Sequence, residues 1–300
     1  MHPSGPVGSL RPQQGNRAIR ATAAPTVPGP APSQGLGPKV TSKADSFDQW
    51  IRIFHPSPDR GIRLVCLPHA GGAASGYFGL SAALAPSVEV WSVQYPGRQD
   101  RRSEPPVTDV RELARRLAER LDGRLDQPYA LFGHSMGAVV AFELARLLEQ
   151  SGRGPQVLLA SGRRAPSTVR DERVHLRDDA GVAQELRLLS GTDPAFLRDP
   201  ELFEMILPAL RADYRAVETY QSDLDSTVSC PVTALVGDND PKTTVEEARA
   251  WGRHTSGAFE LRILAGGHFF LDERMSEVTA ALTEILLPAP SGRDSTAVQS

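Results

Sequence analysis

Cysteine is scarce in this 300-residue chain: Cys66 and Cys230 are the only two. They lie far apart in apolar, strand-like runs and outside any C-x-x-C or zinc-ligand spacing, which leaves no basis for a disulfide framework. Both read as buried free thiols of a reducing compartment. An excess of charge is also missing. The formal net charge is -3 and no long basic tract occurs, so composition gives no support to a nucleic-acid partner. There is no run of about 18 apolar residues, and no apolar segment follows the N-terminal basic residues. The expectation is a cytosolic protein with neither membrane span nor secretory signal. Internal repeats, metal motifs and organic-cofactor motifs are absent as well.

What is present is enough apolar material for one large core, since 40% of the residues are hydrophobic. Residues 1–46 are crowded with Pro, Gly, Ala, Ser and Gln and show no sustained period, as expected of a disordered tail. Residues 288–300 look similarly loose. Between them, over 47–287, strand and helix patterns alternate. Strands are predicted over 63–68, 88–95, 129–133, 156–160, 232–237 and 259–264. Helices are predicted over 108–121, 137–149 and from about 272 to 287. In the first of these, Val110, Leu113, Leu117 and Leu121 form one apolar stripe. Such alternation implies an α/β fold with a mostly parallel sheet.

The alternation breaks from about 163 to 229, where the pattern is helical without a convincing strand. Asp199-Pro200-Glu201 reads as an N-cap followed by Pro at the first helical position. Leu202, Phe203, Ile206 and Leu207 then make an apolar stripe that meets Pro208, where a kink or a break is expected. A helical insertion at this point of the chain would cover the carboxyl edge of the sheet, and we read it as a lid.

Between the 129–133 strand and the 137–149 helix lies Gly133-His134-Ser135-Met136-Gly137, a match to G-x-S-x-G. In that pattern the serine is raised on a sharp strand-to-helix corner, and the flanking glycines let strand and helix approach where a Cβ would clash. The helix N-terminus behind it favours developing negative charge. Ser135 is therefore the candidate nucleophile. A hydroxyl needs a base, and the base needs an acid to orient it. Of the 7 histidines, His268 stands in AGGHFFL, a flexible loop after the last predicted strand, where an α/β-hydrolase carries its base. His134 beside the nucleophile is expected to point away and bond locally. The acid is sought in VTALVGDNDPKTT, which offers Asp238 and Asp240. Asp238 also suits a turn or cap, whereas Asp240 has one more step of reach and is preferred. Oxyanion donors are expected from the backbone N–H of Met136 and, in the Gly-rich LPHAGGAASGYF loop after the first strand, from that of Ala70.

Together these motifs resemble those of the type II thioesterases that accompany modular polyketide synthases and nonribosomal peptide synthetases, most nearly the stand-alone macrolide-pathway enzymes. The matching stretches are LVCLPHAGGAASGYF, VQYPGRQDR, LFGHSMGA, SGRRAP, LSGTD, LPALRADYRAVETY, GDNDP and GGHFFL, from Trp50 to Leu287. The resemblance implies an α/β-hydrolase fold with flanking helices and a mobile helical lid. It implies Ser135, Asp240 and His268 as nucleophile, acid and base, and Ala70 and Met136 as oxyanion donors. The implied reaction is hydrolysis of short or aberrant acyl groups from the phosphopantetheine arm of acyl carrier protein domains, through an acyl-serine. No cofactor is required, and the chain is expected to act as a monomer. A carrier domain is typically acidic, which makes Arg98, Arg101, Arg102, Arg163 and Arg164 candidates for a basic mouth, with solvated surface or internal salt bridges as the equal alternative for each. Other readings on the same fold are a carboxylesterase or a chain-releasing terminal thioesterase; outside it, a binding module that holds a carrier without turnover.

Overall fold

The structure, a computed structural model, describes residues 46–57, 61–126, 128–190 and 199–287. The tails expected over 1–46 and 288–300 lie outside the described residues, Ser46 excepted. Seven strands are described: β1 (Ile51–Arg52), β2 (Ile62–Leu67), β3 (Val88–Val93), β4 (Tyr129–His134), β5 (Leu158–Ser161), β6 (Val232–Gly237) and β7 (Phe259–Leu264). They form one sheet in the order β1-β3-β2-β4-β5-β6-β7. All pairs are parallel except β1 with β3. The described helices are α1 (Phe47–Trp50), α2 (Phe78–Leu84), α3 (Val110–Leu121), α4 (Met136–Gln150), α5 (Asp179–Ser190), α6 (Pro200–Glu218), α7 (Val245–Arg249), α8 (Phe270–Glu273) and α9 (Met275–Leu286).

Strands β2 to β6 are buried along their whole length, as parallel strands covered on both faces must be. Side-chain alternation sorts them into two cores. Val65, Leu67, Leu131 and Ala160 pack toward α3 and α4, with Phe142 and Trp251 filling that side. Leu64, Cys66, Phe132 and Leu159 pack on the opposite side toward α2 and α9 with Phe270. The stripe on α3 is buried as its spacing requires, and Asp109 caps it by accepting from Glu112 N at 2.8 Å. In register, Leu67 stands opposite Gly133 and His134 opposite Ser161. The carboxyl ends of β2, β4 and β5 therefore line up at one edge.

Between β5 and β6 the described residues hold no strand, only α5, α6 and a short 3-10 turn at Val174–Leu176. Asp199 caps α6 through Glu201 N (3.0 Å) and Leu202 N (3.3 Å). A break at Pro208 does not occur. The helix continues to Glu218 because the half beyond the proline is packed: Leu210, Asp213, Tyr214 and Val217 are buried, whereas Leu202 and Met205 before it are exposed. Tertiary burial here offsets the one helical hydrogen bond that Pro208 removes. The last predicted helix is likewise two pieces, α8 and α9, interrupted at Arg274. No helix among the described residues is long and apolar enough to cross a membrane.

Candidate active site

Ser135 occupies the corner between β4 and α4 with φ 53° and ψ -115°, a conformation that a residue bearing a Cβ adopts only under strain. Two features hold it there. Ser135 N donates to Ser161 O at 2.8 Å, and the corner is flanked by glycines at which any Cβ would clash with backbone. A Cβ on Gly133 would lie 2.1 Å from Gly137 O, and one on Gly137 would lie 2.0 Å from Leu67 O. Strand, corner and helix thus touch backbone to backbone, and the serine hydroxyl is pushed out beyond them.

Ser135 Oγ lies 3.0 Å from His268 Nε2. His268 Nδ1 lies 3.0 Å from Asp240 Oδ1 and 2.9 Å from Oδ2. Because Asp240 sits in the turn after β6 and His268 in the turn after β7, three residues distant in sequence meet at one sheet edge. The side chains of His268 and Asp240 are almost wholly buried, at 3% and 0% exposure. Lys242 N donates to Asp240 Oδ1 at 2.8 Å, which fixes the carboxylate's orientation. The other candidate, Asp238, is exposed and accepts from Gly266 N at 2.9 Å, so it braces the loop that carries His268.

A small cavity of about 30 Å³ opens at Ser135 and His268 and is bounded by His69, Ala70, Leu186, Tyr214 and Phe269. Next to it, sharing His69, Ala70, Leu186 and Phe269, lies an apolar cavity of about 390 Å³ walled by Leu202, Met205, Ile206 and Leu210 of α6. Of the expected oxyanion donors, Ala70 lines both cavities, and Met136 follows Ser135 as the first residue of α4. The space is therefore apolar on the side of α6, with Ser135 and His268 at its other end.

Two further imidazoles surround His268. His134 packs against His268 with ring centroids 5.2 Å apart and bonds Ser161 Oγ through Nδ1 at 3.0 Å, the local role expected of it. Burial pushes its pKa well below the ordinary value. His69 is lowered to about 4, first by loss of hydration, with His268 and Arg98 adding repulsion. At neutral pH both are uncharged, so they do not compete with His268 for its counter-ion. The thiols take no part in the cavity wall: Cys66 and Cys230 are free and buried, and burial raises Cys66 and pushes Cys230 up to about 12. Among the described residues no group of three or more His, Cys, Asp and Glu is suited to hold a metal ion.

The basic mouth expected from five arginines is not found in that form. Arg98, Arg101, Arg163 and Arg164 are all buried. Arg98 pairs with Asp213 (2.8 Å), Arg101 with Glu104 (2.6 Å) and Arg164 with Glu172 (2.6 Å). Of the five, Arg102 alone is exposed. Burial, reinforced by neighbouring Arg164, lowers Arg163 to about 9; its guanidinium lines the cavity with Ser135, and its Nε has no hydrogen-bond partner. The residues that sequence reasoning overlooked are His69 and Asp213. Asp213 had a signal: it is an acid within the apolar stripe Leu210, Tyr214, Val217 of a helix, a position that solvent-exposed acids avoid.

The profile of the Thioesterase domain family matches residues 62–286. Thioesterase PikA5 of Streptomyces venezuelae is 51% identical over 256 residues, covering 83% of this chain and 90% of PikA5. The "Probable cadicidin biosynthesis thioesterase" of Streptomyces griseus is 51% identical over 249 residues, covering 83% of this chain and 69% of the relative. Among solved structures, the type II thioesterase BorB from the borrelidin biosynthetic cluster superposes with a TM-score of 0.75 at 50% identity, covering 80% of this chain and 98% of BorB.

Proposed function

Because the chain belongs to the thioesterase family and has the α/β-hydrolase fold of its type II members, we propose that Ser135, His268 and Asp240 are its catalytic residues and that its substrates are short or aberrant acyl groups on the phosphopantetheine arm of polyketide-synthase acyl carrier domains. It is a serine hydrolase acting on thioesters. The observation that carries the catalytic assignment is the chain of contacts at 3.0 and 2.9 Å from the strained Ser135 through His268 to Asp240.

In this reading Asp240 accepts the Nδ1–H of His268 and so leaves Nε2 as the acceptor facing the Ser135 hydroxyl. As Oγ attacks the thioester carbonyl, its proton passes to Nε2, and the imidazolium formed is stabilised by the buried carboxylate. Negative charge moves onto the carbonyl oxygen, where the N–H groups of Met136 and Ala70 receive it together with the N-terminal end of α4; one such donor contributes roughly 10²–10³ in rate. The carbon–sulfur bond breaks and the pantetheine thiol leaves with the proton from His268. A water, deprotonated by His268, then attacks the acyl-serine ester, and Ser135 is regenerated as the free acid departs. The apolar cavity beside Ser135, walled by the first half of α6, supports an acyl or pantetheine chain bound under the helical insertion, which acts as the lid. The cytoplasm, where carrier domains are made and loaded, is its site of action.

The test is thiol release from propionyl and longer acyl pantetheine thioesters, free and attached to a carrier domain, by wild type and Ser135→Ala. Turnover that needs Ser135 and is faster on the carrier is expected. Turnover of oxygen esters without thioesters, or equal rates for free and carrier-borne substrate, would overturn the carrier reading.

A further inference from the structure

Asp213 is fully buried on α6, and a buried carboxylate is tolerated only when its charge and lone pairs are met. Here they are met by two segments from elsewhere. Arg98, in the loop after β3, grips it in a fork, Nη2 to Oδ1 and Nη1 to Oδ2, both at 2.8 Å. Gly71 N, in the loop after β2, donates to Oδ2 at 2.8 Å. Arg98 Nη1 also donates to Gly72 O at 3.1 Å, so the pair holds that loop by one N–H and one C=O.

The Gly71 N–H belongs to the same planar peptide unit as the Ala70 carbonyl. That carbonyl accepts from His69 Nδ1–H at 2.9 Å. Both ends of the Ala70–Gly71 peptide are therefore pinned, its C=O by an imidazole and its N–H by Asp213. The preceding plane is held at its own carbonyl, where His69 O accepts from Gly72 N at 2.9 Å, so with the following plane pinned at both ends the rotations at Ala70 and the direction of its N–H are fixed. The ladder of the sheet does not supply this restraint, since the loop lies beyond the end of β2 at Leu67; it comes from α6 and the loop after β3.

We infer that Arg98 and Asp213 are positioning residues for the oxyanion loop: the ion pair between α6 and the loop after β3 holds the Ala70–Gly71 peptide so that the Ala70 N–H stays aimed at the oxyanion. The inference rests on the proposed role of Ala70. It makes α6 a wall of the acyl chamber and a support of the rate-accelerating donor at once, which couples the seating of that helix to catalytic competence. Burial raises the Asp213 pKa while Arg98 opposes the shift, consistent with an anion that depends on its partner.

The test is the paired substitution Arg98→Met/Asp213→Leu, which replaces a buried ion pair by apolar side chains of similar volume and so preserves the fold. It leaves Gly71 N–H and Gly72 O unheld. The expected result is a kcat on propionyl pantetheine lower by about 10²-fold, KM within about threefold of wild type, and an unchanged thermal midpoint. Affinity for an alkyl boronic acid, whose tetrahedral adduct on the serine presents an oxyanion, falls in parallel with kcat. Wild-type kcat in the folded double variant overturns the inference, as does a loss in proportion to the unfolded fraction. Should that variant not fold, Arg98→Lys keeps the charge and loses the fork: a lower kcat at constant KM is expected, and an unchanged kcat overturns the clamp. Failure of the thioesterase reading itself is separate, because wild type would then release no thiol beyond Ser135→Ala.

Discussion

Replacing Gly137 by Ala tests how closely catalysis depends on the backbone contact between β2 and α4. The added Cβ would stand 2.0 Å from Leu67 O, 2.7 Å from Leu67 C and 2.8 Å from Pro68 O. Real Cβ atoms do not approach backbone below about 3 Å, so the first turn of α4 and the end of β2 must separate by about 1 Å. Overpacking of this kind costs about 1–3 kcal/mol, against which the better helix propensity of Ala returns up to about 1 kcal/mol. The larger effect is on rate. Ser135 is two residues before the new methyl group, and Pro68-His69-Ala70 follows directly from the displaced strand end, so the proposed nucleophile and the proposed oxyanion loop move apart. A misplacement of about 1 Å costs about 10²-fold in rate. Thiol release from an acyl pantetheine thioester should therefore fall about 10²-fold in kcat/KM, while urea unfolding shows a loss of about 1–2 kcal/mol. Gly76→Ala is the control, since a Cβ there meets nothing within 4 Å. Wild-type kcat/KM and an unshifted urea midpoint in Gly137→Ala would refute the reasoning.

Three other outcomes are expected. Asp240→Asn, which removes the buried anion beside His268 Nδ1, should lower kcat by about 10⁴ in steady-state assays, and a loss below tenfold would contradict the role given to it. His134 is fully buried with its pKa pushed well below 6.5, so below that pH the unfolded chain binds a proton that the folded chain refuses, and stability falls as pH drops. His134→Gln should make the fall between pH 6.5 and 5 shallower by up to about 1.4 kcal/mol per pH unit in urea titrations; an unchanged slope would show that this imidazole is not the source. Phe142→Ala removes a fully buried ring whose centroid is 5.7 Å from that of Trp251, and should cost about 3–5 kcal/mol by urea denaturation; a cost below 1 kcal/mol would place the ring outside the main core.

The elements that sequence reasoning located best are those whose pattern is set by burial on two faces or one. Strands β6 and β7 were expected over 232–237 and 259–264 and are found there, because an apolar run ended by Gly237 or by the Ala265-Gly266-Gly267 loop leaves little freedom of boundary. β1 was missed: two residues carry no period, and Ile51 and Arg52 become a strand only by pairing with Val93 and Ser92. At Pro208 the break, one of the two outcomes expected, does not occur. The proline's local effect on a helix was weighed, but the burial of the half helix that follows it was invisible without the fold.

The site divides along the same line. Ser135, His268 and Asp240 were legible because each needs a particular backbone setting, a corner between glycines or a loop after a strand, and such settings leave glycine and proline in the sequence. Arg98 and Asp213 leave no such trace. An arginine in a loop leaves open whether it faces a mouth, solvent or an internal salt bridge, and for Arg98 the sequence did not choose among them; Asp213 had only the signal of an acid in an apolar stripe, with nothing to name its partner. Only the fold shows that the two meet at 2.8 Å with zero exposure at Asp213. The same holds for Arg101 and Arg164, each neutralised by a glutamate three or eight residues along. Charge counted along a sequence predicts charge at a surface only where side chains have no partner nearer than solvent; in this chain Arg98, Arg101 and Arg164 are buried in ion pairs, and Arg163 alone of the five lines the cavity at Ser135. An acidic carrier domain that docks here must then be met by exposed groups such as Arg102, or by the exposed apolar side chains Leu202 and Met205 of α6, and reversing the charge of Arg102 separates those two modes of docking.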